Sequence, residues 1–136
     1  MKHPYLLDAG PAADFLFDRA GVRPRMLALK RSGVTFGIGL PTLGELIHGI
    51  EGSDNRDRAW ETVHRSIGRL IQWPFDEAAA YAFGRIAADL KMRGRLIQQI
   101  DMQIAGIAMT KPNCTLVTYD SDFDVVPGLN HENWLV

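Results

Sequence analysis

Apolar residues follow two rhythms along this chain. Tyr5-Leu6-Leu7, Val34-Thr35-Phe36-Gly37-Ile38, Ile71-Gln72-Trp73 and Thr115-Leu116-Val117-Thr118 are short runs rich in β-branched or aromatic residues. Runs of that length and type suit buried strands. Between them, apolar positions recur at three- and four-residue steps, the period of one helix face. Gly10-Pro11 opens a first helix with Ala12, Phe15, Leu16 and Ala20 inward, Pro being suited to a first turn. A second helix starts at Pro24, carries Met26, Leu27 and Leu29, and ends near Gly33. A third starts at Pro41, with Leu43, Leu46, Ile47 and Ile50 inward. A fourth runs from Arg58 to Leu70 through Trp60, Val63 and Ile67. Asp76 caps a fifth, which reaches about Arg93 with Ala79, Ala80, Phe83, Ile86, Ala87 and Leu90 inward. The sixth bears Ile97, Ile100, Ile104, Ile107 and Ala108 and stops at Lys111-Pro112-Asn113, because a residue before Pro avoids the helical region. After the Pro127-Gly128 turn, Asn133-Trp134-Leu135-Val136 reads as a last edge strand.

Strands that alternate with helices predict an α/β fold: a parallel sheet covered by helices on both faces. At 136 residues, one domain spanning residues 1–136 is expected. In open sheets of this kind, ligands bind at the carboxyl ends of the strands.

Acids gather where that rule points. Asp8 ends the first strand, and Asp120, Asp122 and Asp124 follow the fourth. Asp8 also fits a helix N-cap. Asp101 lies on or beside the apolar stripe of the sixth helix, where an ionised carboxylate is costly unless paired or bound to metal. Glu45 has two readings. Thr42-x-x-Glu45 matches a capping box, whereas Pro41 as first helical residue makes Leu40 the cap and frees Glu45. If the first and fourth strands are neighbours, Asp8 and Asp120 meet at one edge and Asp101 joins from the side. Carboxylates so grouped cannot all ionise without a cation. A donor set of oxygens alone selects Mg²⁺ or Mn²⁺, which can activate water and stabilise the leaving oxygen of an in-line displacement.

Composition narrows the choice. The chain is 46% hydrophobic and 23% charged, with a formal charge of −1. No bulk field draws it to nucleic acid, so such a site needs metal ions or a local basic patch. Lys91, Arg93 and Arg95 around Gly94 offer a patch for a phosphate backbone, or simply a solvated turn. Cys114 is the one cysteine, which excludes an intrachain disulfide and a Cys-based zinc site, and it reads as a buried thiol. His48, three residues after Glu45, is a metal candidate or a structural histidine. No HxxxH or HExxH occurs, against a zinc hydrolase. Gly37, Gly39 and Gly44 fail the dinucleotide spacing, because Thr42 stands where a glycine is needed. Gly10 stands where a haloacid-dehalogenase-type phosphatase needs a second Asp. No signal segment and no long apolar run is seen, so a soluble, cytoplasmic protein away from membranes is expected.

Taken together, LLDAG, LPTLGELIHGIEGS, the stretch from Pro74 to Met109 and TLVTYDSDFDVVPGL resemble PIN-domain proteins, and among them the toxins of VapBC-type toxin–antitoxin pairs. The most specific parts are D-x-x-I-A-x-x-A from Asp101 to Ala108 and V-T-x-D-x-D-F from Val117 to Phe123. The resemblance implies a three-layer α/β/α sandwich and a Mg²⁺-dependent endoribonuclease (Mn²⁺ as a substitute) that hydrolyses RNA phosphodiester bonds by metal-activated water. It implies Asp8, Glu45, Asp101 and Asp120 as the catalytic, metal-holding acids, with Asp122 as an extra ligand. It also implies tRNA or ribosomal RNA as substrate, a VapB-type antitoxin as partner, and a homodimer. The chain departs from the family at Ala9 and Gly10, where a hydroxyl or amide pair commonly follows the first Asp, and at Gln98, where glycine is frequent. The missing pair motivates an alternative: a non-catalytic PIN-like module that binds metal or RNA.

Overall fold

The computed structural model describes residues 3–135. Among these, five strands form one sheet: β1 (Pro4–Leu7), β2 (Thr35–Gly39), β3 (Ile71–Trp73), β4 (Thr115–Val117) and β5 (Asn130–Glu132). Their spatial order is β3-β2-β1-β4-β5, and every neighbouring pair is parallel. The connecting helices are α1 (Ala9–Leu16), α2 (Val22–Lys30), α3 (Leu40–Glu51), α4 (Arg56–Ser66), α5 (Glu77–Met92) and α6 (Gln99–Met109).

Side chains alternate across a strand, so successive residues feed opposite cores. Leu7 and Val117 point with Phe36 and Ile38 to a core closed by α1 to α4. Leu6 and Leu116 point the other way, to a core closed by α5 and α6. The result is the expected three-layer α/β/α sandwich. The chain moves outward from β1 through β2 to β3, then crosses back to lay β4 and β5 on β1's other side. The strand order therefore reverses between β1 and β4, the switch point where such sheets bind ligands.

Helix α6 is buried nearly all round, with Met102, Ile104, Ala105, Gly106, Ile107 and Ala108 below the surface. A helix with apolar residues on all faces belongs between two layers, and α6 lies under α5. Gly106 permits that approach. A Cβ there would stand 2.8 Å from the Ala79 carbonyl oxygen and 3.2 Å from the Phe83 nitrogen.

Several sequence expectations shift. The edge strand falls at Asn130–Glu132, not at Asn133 to Val136, and Val136 lies outside the described residues. Trp134 leaves the ladder because its ring packs on Tyr5 and Phe36 beneath Arg25. Helix α1 ends at Leu16, and Ala20 is exposed in a turn where Asp18, Ala20 and Gly21 all take positive φ. Pro24 is the third residue of α2 rather than its first. Arg58 to Leu70 is not one helix: α4 closes at Ser66 and a 3₁₀ turn covers Ile67–Arg69. Ala80 and Ile47 face outward. Among the described residues, no helix is long and apolar enough to cross a membrane.

Candidate functional site

The acids collect at the β1/β4 switch point. Asp8 follows β1, and its backbone nitrogen donates to the Val117 carbonyl at 2.9 Å, extending the ladder by one step. It occupies the N-cap position of α1, but its side chain makes no capping bond there. Instead Oδ2 accepts a hydrogen bond from the Thr118 hydroxyl at 2.8 Å. Thr118 is buried, and its Oγ1 also accepts from the Asp120 amide at 3.1 Å. One hydroxyl thus ties both strand-end acids together.

Asp120 then starts a 3₁₀ turn over Ser121–Val125, its Oδ1 accepting from the Asp122 amide at 2.9 Å. Phe123, fully buried in the α5/α6 core, holds this turn down. Arg93 pins its far end, with Nη2 donating to the Val125 carbonyl at 2.7 Å while Nε bonds Asp89. Of the basic linker, Arg93 is therefore structural, while Lys91 and Arg95 are exposed. Asp124 leaves the group and pairs with His131 at 3.5 Å.

Asp101 enters from the first turn of α6 and is only 8% exposed. Among the described residues, no cation and no hydrogen-bond donor meets its carboxylate. Its neighbours are acids: Asp101, Asp120 and Asp122 each bring a carboxylate oxygen within 4.8 Å of the other two. Glu45 is exposed on α3. Gly39 is the N-cap of α3 and Leu40 and Pro41 are its first residues, so the capping box does not form and Glu45 is free. Thr42 is instead buried, its hydroxyl without a hydrogen-bond partner. Asp8 and Glu45 stand outside the tight triple, yet near enough for their charges to act on Asp101. His48 is exposed and outside the group.

The electrostatics follow from burial and like charge. Burial first, and then the charges of Asp8, Asp120, Glu45 and Asp122, together raise the Asp101 carboxyl to about 6. Asp8 is also raised, by burial first and then by Asp120, against the Thr118 hydroxyl and the Ala9 amide. Glu45 is raised by burial and by Asp8. A buried carboxylate without a partner, facing other carboxylates, is the environment that a hard divalent cation relieves. The donors are oxygens only, so the residues present fit such an ion.

Tyr119 and Gly10 form a contact the sequence did not reveal. Tyr119 extends over the start of α1, where a Cβ on Gly10 would lie 2.6 Å from its Cδ2. Its hydroxyl donates to Asp14 Oδ2 at 2.7 Å, and Arg19 holds the other Asp14 oxygen at 3.2 Å. The ring thus fills the space above position 10. Tyr119 lies in the bend just after β4, and nothing in the sequence pairs it with Asp14.

Two grooves open elsewhere on the surface. One follows α5 and α6, lined by Ala82, Ile86, Met109 and Pro127 together with the polar Arg85, Asp89 and Thr110. The other, lined by Leu16, Phe17, Leu46, Gly49, Ile50 and Ala59, runs up to Glu45.

A parallel α/β/α sandwich with an acid cluster at its switch point defines a class, and the comparisons place the chain in it. The chain belongs to the PIN-domain family, whose sequence model matches residues 5–129. Within that family its relatives are VapC proteins: the tRNA(fMet)-specific endonuclease VapC of Shigella flexneri is 33% identical over 93 residues, 68% of this chain and 70% of that protein. Among solved structures, DNA-bound VapBC from Salmonella typhimurium superposes with a TM-score of 0.85 at 30% identity, covering 96% of this chain and 98% of that one. VapBC2 from Rickettsia felis, bound to a DNA fragment from their promoter, gives 0.86 at 25% identity over the same shares.

Proposed function

We propose that this chain is the ribonuclease toxin of a VapBC-type pair, a single cytoplasmic domain whose cofactor is Mg²⁺, with Mn²⁺ able to replace it. Asp8, Glu45, Asp101, Asp120 and Asp122 are the residues that hold the cation. The observation that carries this reading is Asp101, buried without a cation or donor and within 4.8 Å, oxygen to oxygen, of Asp120 and Asp122.

Each residue has a task set by its surroundings. Thr118 fixes one oxygen of Asp8 and so aims the other. Asp120 spends Oδ1 on the Asp122 amide and keeps Oδ2 for the cation. Asp101 would supply negative charge from α6, and exposed Glu45 would add its own from α3. A bound cation supplies Lewis acidity and lowers the pKa of a water molecule, so no side-chain nucleophile is needed. In such a hydrolysis water would lose a proton as it bonds to phosphorus, the P–O3′ bond would break and the leaving 3′-oxygen would take up a proton from solvent, giving a 3′-hydroxyl and a 5′-phosphate. The non-catalytic alternative rested on the absent pair at Ala9 and Gly10. Thr118 supplies a hydrogen bond to Asp8 from another element, which favours the catalytic reading.

The Shigella relative's name makes tRNA the first substrate class to test. Purified protein is expected to cut RNA with Mg²⁺ and not with EDTA, and Asp101→Asn is expected to lose cleavage while keeping its fold. Full activity in a clean Asp101→Asn preparation would remove Asp101 from the machinery. The partner is a VapB-type antitoxin, and the groove beside Glu45 offers it an apolar seat that reaches the acids. A homodimer is supported by exposed apolar side chains along and just beyond α5, Tyr81, Met92 and Leu96. Sedimentation of the free protein is expected to give twice the 15.1 kDa chain mass, and a monomer at micromolar concentration would remove the dimer.

A further inference from the structure

We propose that Tyr119 is a positioning residue that sets the separation of Asp8 and Asp120 by clamping the end of β4 onto the first turns of α1. This inference rests on the metal-binding reading above. Tyr119 lies between Thr118, which bonds Asp8, and Asp120, whose amide bonds Thr118. Its own side chain leaves in the other direction and makes two contacts with one helix. The ring covers Gly10, two residues after Asp8, so closely that a Cβ would meet Cδ2 at 2.6 Å and Cε2 at 3.0 Å. The hydroxyl bonds Asp14, whose other oxygen is held by Arg19. Hydrogen bonds to a charged partner are short and strong, so the tie is stiff. The segment bearing Asp120 is therefore fixed to the helix that begins just after Asp8 by two cross-links: Thr118 inside the site and Tyr119 behind it.

The two contacts are coupled. Glycine at position 10 is needed because the ring lies there, and the ring can lie there because position 10 has no side chain. Gly10→Ala must push the ring outward and drag the β4 end with it. Once the ring is gone, no other part of the fold outside that stretch of helix stands closer than 3.6 Å to the same methyl group.

The test is a double-mutant cycle read by Mn²⁺ titration calorimetry, with melting in EDTA as the control for folding. Groups that orient metal ligands change affinity by roughly 10–100-fold when lost. Tyr119→Ala and Gly10→Ala are each expected to weaken Mn²⁺ binding about tenfold, and Tyr119→Phe, which keeps the ring, by less. Adding Gly10→Ala to Tyr119→Ala is expected to cost little more, because neighbours that share one contact are not additive. Cleavage should fall in parallel with affinity and recover at saturating Mn²⁺. Wild-type affinity in both single variants would overturn the positioning role while leaving the metal site standing, as would fully additive losses. A wild-type protein that binds no Mn²⁺ would overturn the metal site itself, and this inference with it.

Discussion

A single residue, Asp101, carries the largest electrostatic cost. Its folded pKa of about 6 exceeds the ordinary carboxylate value of 3.8. The elevation means that the folded chain holds this carboxylate at a cost when it is ionised. The sign is set by proton binding. Between the two pKa values the folded state keeps a proton that the unfolded state has released, so metal-free stability falls as pH rises from about 4 through about 6. Asp8 and Glu45 are raised too and act in the same direction. Melting in EDTA is therefore expected to show a less stable protein at pH 7.5 than at pH 5. Asp101→Asn should raise the melting temperature at pH 7.5 far more than at pH 5. Added Mn²⁺ should reverse the trend. A flat profile in EDTA would mean that the carboxylates do not strain the fold. Residue identities were the most legible part of the site: Asp8, Asp101 and Asp120 stood out as acids at strand ends and on an apolar stripe. Glu45 stayed ambiguous because a capping box and a free acid share one spacing, and only the position of Gly39 as N-cap separates them.

At the scale of elements, helix α6 and its contact with α5 decide where Asp101 stands. Gly106 sets that distance, because Ala79 and Phe83 backbone atoms occupy the space a Cβ would need. Backbone cannot swing aside as a side-chain tip can, so Gly106→Ala must move a helix. A loss of about 1–3 kcal/mol is expected in denaturant titration, with weaker Mn²⁺ binding because Asp101 shifts with its helix. A cost near zero would show that the helices slide freely. Element existence was legible because strands and helices differ in apolar period, and five strands and six helices fall near their predicted places. Boundaries were less so. The Trp134 segment reads as a strand by composition, but the ring is drawn into the core beside Tyr5 and Phe36, and the ladder moves three residues upstream. Arg58 to Leu70 keeps one apolar stripe across a break, since the 3₁₀ turn preserves the facing of Ile67.

Over the whole molecule, Glu45 joins two regions, because it lines the apolar groove and its charge also acts on Asp101. An antitoxin segment in that groove would cover Leu46 and Gly49 before it reached the carboxylates. Gly49 has nothing within 4 Å of a Cβ position, so a side chain added there starts without a clash. Gly49→Trp is expected to weaken antitoxin binding at least tenfold, while melting and RNA cleavage by the free toxin stay unchanged. Undiminished binding would place the antitoxin elsewhere. The sheet order was not legible, because the sequence shows that strands are parallel candidates without showing which are adjacent. That Asp8 and Asp120 meet depends on β4 inserting beside β1, a pairing set by tertiary packing.

That insertion governs when the site comes into being. Thr118 and Asp8 bond across 110 positions of sequence. A ribosome building this chain extrudes Asp8 and Glu45 early, and later the helix of Asp101, but the strand that joins them is still inside the exit tunnel. The nascent polypeptide therefore passes most of its synthesis without the centre it will carry. Only after β4 emerges and adds to the β1 edge of the β3-β2-β1 sheet do the acids close up, so topology keeps the site unassembled until Thr118 has left the ribosome.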